Sequence, residues 1–434
     1  MKKTKNSIRF YLALVIFSLV GQVAWVVENM YLNVFIYKMF HASAEAISAM
    51  VAASAVAATV TTLFIGALSD KIGKRKLFIC AGYIPWGISI WGFAVIRMEL
   101  INALFPSVVS AAAVGVSLVI ALDCLMTFFG SSANDACFNA WLTDSTDSTN
   151  RGAVEGINAM MPVVAILVVF GGFMGFDQDL PQTWTVIFGI IGSVVLLLGI
   201  AGFFLIEEAP VRTEGNEKYL SNLIYGFRPR VIRENSTLYL TLLAYAVFGI
   251  SIQIFMPYLI LYFSVSLGME NYVLIFAPAI VLAAAFTAFY GKVYDRKGFA
   301  ASMIPALALL MAGYVVLYFF RHTALVFVGT LIMLCGYLAG MAVFGDMLRD
   351  RTPENKAGMF QGQRIIGQVL IPGIIGPAIG AAVLKNAETI RNDDGTSSFV
   401  PNENIFLAAF VAAAVIFAVL LPLLRHLKKE NTHD

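Results

Sequence analysis

Apolar runs of about 20 residues or more, separated by short polar breaks, fill almost the whole chain. At 1.5 Å per residue, a run of that length crosses the roughly 30 Å hydrocarbon core of a bilayer. The runs predict twelve membrane helices, over 10–37, 45–68, 77–96, 108–142, 154–175, 183–206, 237–264, 272–291, 299–320, 323–345, 358–384 and 404–424. Region 108–142 is long for one crossing and short for two joined by a turn. Within three of the runs, polar residues fall at helical spacing. Gln22, Trp25 and Asn29 follow i, i+3, i+7, with Glu28 beside them. Asp123, Thr127, Gly130 and Asn134 follow i, i+4, i+7, i+11, with Asp135 one position round. Gln361, Arg364 and Gln368 again follow i, i+3, i+7. Such spacing puts each set on one helix face.

Charge placement settles the number of crossings. With twelve helices and both termini cytoplasmic, only Lys38, Arg97, Arg321, Lys385 and Arg391 of the 29 basic residues fall outside, and Arg364 falls within a helix. The rest lie inside, as the positive-inside rule requires. Splitting 108–142 into two helices would invert the second half and destroy this bias, so it is one crossing with an interfacial extension. The basic start, Lys2, Lys3, Lys5 and Arg9, resembles the head of a signal peptide. The following run is too long for an h-region, so it is the first helix.

Composition agrees with residence in lipid: 59% of residues are hydrophobic and 13% charged, against about 25% charged in soluble domains. The net charge of +2 is divided between membrane sides rather than gathered, and implies no nucleic-acid partner. Cys80, Cys124, Cys137 and Cys335 have unrelated spacings and suggest neither disulfides nor a zinc site. His41, His322, His426 and His433 all fall in loops or the tail, where they are expected to be solvated. There is no Walker loop, Gly-x-Ser-x-Gly or His-Glu-x-x-His, so neither an enzyme nor a cofactor is indicated.

Two repeats divide the chain. Gly66-x-x-x-Asp70-Lys71-x-Gly73 recurs 225 residues on as Gly291-x-x-x-Asp295-Arg296-x-Gly298. Thr146, Gly152, Glu155 and Gly156 recur as Thr352, Gly358, Gln361 and Gly362, 206 residues on, which leaves 19 extra residues in the first half, placed within 97–142. The predicted organisation is a six-helix bundle over 1–206, a charged cytoplasmic joint over 207–236, and a second six-helix bundle over 237–434. The fold class is thus an all-α polytopic membrane protein of two pseudo-symmetric halves.

Six plus six helices, the paired Gly-x-x-x-Asp-[Lys/Arg]-x-Gly loops and the charged middle loop together resemble the major facilitator superfamily. Within it, Asn134-Asp135-Ala-Cys-Phe-Asn139-Ala-Trp141-Leu-Thr-Asp144, followed by Asn150-Arg151-Gly152, looks like the fourth helix and following loop of sugar–cation symporters of the glycoside–pentoside–hexuronide and sucrose-carrier type. The resemblance implies that Asp70, with Gly66, Lys71 and Gly73, latches against a neighbouring helix. It implies the same for Asp295 and Arg296, with Gly291 and Gly298. Arg75, Asp144 and Arg151 join the gating candidates, although a generic basic loop would account for Lys74, Arg75 and Lys76 equally well. Melibiose-type members carry acids on the second helix for sodium. Here that stretch offers Thr59, Thr61 and Thr62 and no carboxylate between Ser48 and Asp70, which favours a coupling proton or no coupling ion.

A carboxylate in mid-membrane costs roughly 2.5–3.5 kcal/mol on insertion scales unless it meets a polar environment. Glu28 and Asp123 are therefore expected to face inward and to carry coupling together, the alternative for Glu28 being a structural pairing. Asp135 either braces its helix or meets solute. Arg364 either snorkels or pairs structurally, or contacts a solute or carboxylate. Trp141 is expected to anchor at the interface. Tyr258, with Tyr245, Gln253, Tyr262 and Tyr337, could hydrogen-bond hydroxyls, and Pro372-Gly373 to Gly380 could bend the eleventh helix. The expected function is secondary transport of a small polar solute, a sugar or glycoside, by alternating access with proton coupling. The alternative is export of amphipathic drugs or lipids. The expected setting is a monomer in the cytoplasmic membrane.

Overall fold

The computed structural model describes residues 7–106, 110–146, 150–208, 226–352, 360–392 and 395–430, without the side chains of Gln361, Lys429 and Glu430. Lys2, Lys3, Lys5, His433, Gly358 and most of the 207–236 joint lie outside the described residues.

Among the described residues eleven apolar helical stretches are long enough to cross a membrane: Ile8–Phe40, Ala44–Ile72, Arg75–Val95, Ala111–Asp144, Arg151–Phe173, Pro181–Leu205, Ser236–Ser266, Val273–Phe319, Thr323–Arg351, Gly362–Leu384 and Asn404–Lys428. Val273–Phe319 is two helices, because Gly298 interrupts it with φ 76° and ψ −176°. A residue with a Cβ would be strained at that φ. The result is the twelve helices expected, counted here from the first to the twelfth. Residues 111–144 form the single fourth helix, preceded by a short helix over Met98–Leu104 within the longer first-half segment.

Local chemistry explains several helix starts. Ser7, Ser43 and Ser110 each stand before a helix with a side chain that accepts from the backbone N–H three residues on, satisfying a donor the helix leaves free. Gly73 ends the second helix at φ 71°, its N–H bonded to the Ser69 carbonyl.

The described chain forms two compact units, Met1–Ala46 with Ala53–Glu217, and Ile47–Ala52 with Lys218–Asp434. Within the first, the first helix packs on the fifth and sixth, and the third on the fourth and sixth. Within the second, the seventh packs on the eleventh and twelfth, and the stretch Val273–Phe319, the eighth and ninth helices, on the tenth and twelfth, with Gly313 of the ninth against Met333 of the tenth. The seventh thus pairs as the first does, six helices on. Small residues allow the closest approaches: a Cβ on Gly87 of the third helix would lie 2.6 Å from the Gly192 carbonyl of the sixth, the close packing that membrane helices use in place of a hydrophobic drive. Aromatic rings fill the interiors, with Trp86, Trp141, Trp184 and Tyr314 fully buried. Large apolar side chains such as Phe64 and Phe204 stand on the outside, as lipid permits.

Three details differ from the sequence reading. A two-stranded antiparallel hairpin, Thr389–Arg391 with Ser397–Phe399, lies between the eleventh and twelfth helices, a small addition to the all-α architecture. Trp141 is no interface anchor: it is buried, donates to the Glu207 carbonyl at 2.8 Å and stacks on Phe138. His426 is held 2.8 Å from the Ser236 hydroxyl rather than standing in solvent.

Candidate functional site

The first unit gathers its membrane-embedded acids. Glu28 sits where the first helix widens into a π segment, Val27–Tyr31, and the fourth helix does the same over Ser131–Phe138, which contains Asn134 and Asp135. Single π turns inside helices recur at functional sites because they redirect side chains. Glu28 is 6% exposed and Asp123 1% exposed. Ser54 of the second helix donates to Glu28 Oε1 at 2.6 Å, and Thr127 of the fourth donates to the same oxygen at 2.8 Å. The two hydroxyl oxygens are themselves 2.9 Å apart.

Both acids keep an unsatisfied oxygen. Glu28 Oε2 and Asp123 Oδ1 are buried without a hydrogen-bond partner among the described residues, and Asp123 stands one helical turn before Thr127, the residue bonded to Glu28. Neither acid forms an ion pair among the described residues; the ion pairs of this unit lie at helix ends, as in Lys38 with Asp179 at 2.6 Å. Two carboxylates buried in the same region with no counter-charge have the chemistry of a proton-sharing or cation-binding site.

The remaining polar residues of these helices separate from that cluster. Asn134 is buried, donating to the Tyr83 hydroxyl at 2.7 Å, while Tyr83 donates to the Phe17 carbonyl at 3.0 Å. This chain knits the first, third and fourth helices. Asp135 is half-buried and accepts from Ser131 at 2.9 Å. Trp25 packs against Trp86 with ring centroids 5.1 Å apart, and Gln22 is half-buried nearby along the helix. Asn29 is exposed, its amide donating to the Trp25 carbonyl at 2.8 Å. The stripe read from α-helical spacing thus splits, because the π segment inserts between Gly130 and Asn139 and changes the angular step.

A second cluster lies at the end of the second helix. Arg75, 4% exposed, pairs with Asp70, donates to Asp144 at 3.1 Å and donates to the Ser69 hydroxyl. One guanidinium thereby holds the second, third and fourth helices. Gly66 and Lys71 lie in the last turns of the second helix, Lys71 exposed, and Gly73 caps its end. Arg151 donates to the Thr143 carbonyl at 3.5 Å and leaves Nε unsatisfied.

The corresponding loop of the second unit differs. Asp295 and Arg296 are exposed, and among the described residues neither forms an ion pair. Gly291 and Gly298 have open space around them. Tyr294 donates to Asp350 at 2.7 Å instead. On the eleventh helix, Arg364 is half-buried and Gln368 sits in a π segment, Ile366–Leu370. Tyr258 is buried and donates to the Pro377 carbonyl at 3.3 Å, a brace between the seventh and eleventh helices.

Ser54, Tyr83 and Ser69 were missed in the sequence. Ser54 lies among alanines and valines of the second helix, and its i, i+5 relation to Thr59 suggests no face. Ser69 immediately precedes Asp70 in the repeated motif, which was the available signal.

Sequence comparison matches residues 11–377 to the family described as Major Facilitator Superfamily. No curated protein matches the chain. Among solved structures, a mutant of the nucleoside transporter NupG superimposes with TM-score 0.70 at 14% identity, over 94% of this chain and 98% of that one. A bacterial homologue of the human lysosomal transporter Spinster gives 0.73 at 14% identity, over 97% and 98%. A D-xylose–proton symporter gives 0.68 at 13% identity, over 94% and 97%. At these identities the likeness is one of fold.

Proposed function

This chain belongs to the major facilitator superfamily of transporters, and from that premise we propose that it moves a sugar or glycoside by alternating access, coupled to a proton. The paired buried acids Glu28 and Asp123, each with an oxygen left unsatisfied, carry this reading. One proton shared between them removes one of the two negative charges, and Ser54 and Thr127 hold Glu28 in place for it. Losing that proton leaves two like charges in a dry environment, which favours a state in which the pair is wetter. Hydroxyl-rich solute and proton then move in the same cycle. A membrane potential of 100 mV, about 2.3 kcal/mol per charge, with one pH unit, about 1.4 kcal/mol, supports roughly 500-fold accumulation.

The domains follow the same reading: 1–206 and 237–434 are the rocking halves, 207–236 is the joint, the termini are cytoplasmic, and the membrane is the plasma membrane. The Asp70–Arg75–Asp144 cluster closes the cytoplasmic side when the halves come together. The xylose–proton symporter among the similar folds supports the choice of solute and ion.

Vesicle uptake of a panel of labelled sugars, with an imposed pH gradient or an imposed sodium gradient, tests the proposal. Uptake driven by the pH gradient is expected, with Glu28→Gln losing the gradient dependence while retaining exchange of solute across the membrane. Sodium-driven uptake, or pH-driven uptake unaltered in Glu28→Gln, would remove the proton assignment.

A further inference from the structure

The third helix ends its crossing at Val95, and the residues that follow carry a charge of each sign, Arg97 and Glu99. Both line a cavity of about 40 Å³ walled by Phe35 of the first helix, Phe93 of the third and Trp184 of the sixth. Arg97 donates to the Thr185 hydroxyl, which holds the guanidinium at the head of the sixth helix. Ala94 and Thr185 also wall an open groove of about 750 Å³ between the third and sixth helices, so the cavity and the groove meet at these two residues. From Thr185 to Val194 the groove runs about 14 Å along the sixth helix, at 1.5 Å per residue. That is close to the depth of one leaflet, half of the roughly 30 Å hydrocarbon core. The polar atoms of the groove satisfy one another: Trp91 Nε1 donates to the Gly189 carbonyl at 3.1 Å and to the Ser193 hydroxyl at 3.2 Å, and Ser193 donates to the same carbonyl at 2.6 Å. What it turns outward is the indole with Val186, Ile190 and Val194, all exposed. Gly189 keeps it open, since a Cβ there would meet no atom within 4 Å.

We propose that the groove and the cavity mouth together bind a phospholipid whose headgroup joins a phosphate to a primary ammonium, with an acyl chain lying along Trp91 and Gly189 and the headgroup between Arg97 and Glu99. The guanidinium fork suits two phosphate oxygens. Glu99 is exposed and accepts from ammonium hydrogens, which a quaternary choline nitrogen lacks, while it repels a headgroup of net negative charge. Opposite charges two positions apart thus match a zwitterion, and the apolar floor matches its chain. The site stands at the end of the third helix away from Arg75, and it is independent of the solute and ion proposed above.

Native mass spectrometry of the full-length protein, titrated in detergent with dioleoyl phosphatidylethanolamine, phosphatidylcholine or phosphatidylglycerol, tests the site. The ethanolamine lipid is expected to bind about tenfold more tightly than the other two. Arg97→Gln should weaken it about tenfold, and Glu99→Gln should abolish the preference over the choline lipid while phospholipid binding persists. Gly189→Leu fills the groove without a clash and should weaken all three lipids alike. Where a variant does not fold, the wild-type ranking and the remaining variants decide. Equal binding of the three lipids marks an unselective annulus and overturns the proposal, as does a lead by the glycerol lipid. An ethanolamine preference that survives both Arg97→Gln and Glu99→Gln places the headgroup elsewhere and overturns it too.

Discussion

The two Gly-x-x-x-Asp-[Lys/Arg]-x-Gly loops descend from one pattern and hold their helices by different chemistry. In the first, Arg75 is buried between Asp70, Asp144 and Ser69. At the offset of 225, Arg75 corresponds to Ala300 and Ser69 to Tyr294; at the offset of 206, Asp144 corresponds to Asp350. The second loop has lost its arginine, and Tyr294 reaches Asp350 directly at 2.7 Å. A neutral hydroxyl replaces a triply engaged cation. Asp295, with no arginine to receive, stands exposed. The repeat conserves the turn and the distal acid, while the link between them is a charge in one half and a single neutral donor in the other. The first loop thus ties its helices by the stronger contact and the second by the weaker one.

Breaking the stronger contact should have the largest consequence. Arg75→Ala leaves Asp144, whose side chain is 13% exposed, as an uncompensated buried charge, a loss of about 3–5 kcal/mol. The expected outcome is a lowered melting temperature and uptake reduced at least tenfold, measured by thermal denaturation and vesicle transport. Restored stability on adding Asp144→Asn to Arg75→Ala would confirm that the stranded acid is responsible.

Removing the weak link should cost less. Tyr294→Phe deletes one hydrogen bond of about 0.5–1.5 kcal/mol, or more where the acceptor is ionised, and is expected to change turnover by a few-fold without loss of folded protein. A defect as large as that of Arg75→Ala would contradict the asymmetry.

The smallest effect belongs to Asp295→Asn, which alters an exposed and unpaired carboxylate and should leave stability within about 0.5 kcal/mol. Asp70→Asn, its counterpart in the repeat, should be clearly the more damaging, though moderated because the Asp70 side chain is 43% exposed. Equal effects of the two would mean that the duplicated aspartates, not their partners, determine the latch.

The same contrast shows where sequence reading works. Helix number and the single crossing over 111–144 followed from apolar run length and the placement of 29 basic residues, because the cost of unsatisfied backbone and charge in lipid leaves few alternatives. The inward placement of Glu28 and Asp123 was legible for that reason too. Asn134 and Thr127 lay on one face by α-helical spacing, yet one bonds to Tyr83 and the other to Glu28. The π segment Ser131–Phe138 that separates them has no mark in local periodicity.

What the chain determined by itself is everything governed by transfer between water and lipid: which segments cross, how many, and which charged residues need shelter. Tertiary structure alone decided which partner each sheltered group received, Ser54 and Thr127 for Glu28, Arg75 for Asp144, Tyr294 for Asp350. Transfer energies act on one residue at a time and can be read along a sequence. Hydrogen bonds and ion pairs can join residues 190 positions apart within about 3 Å, a closeness that only packed helices create.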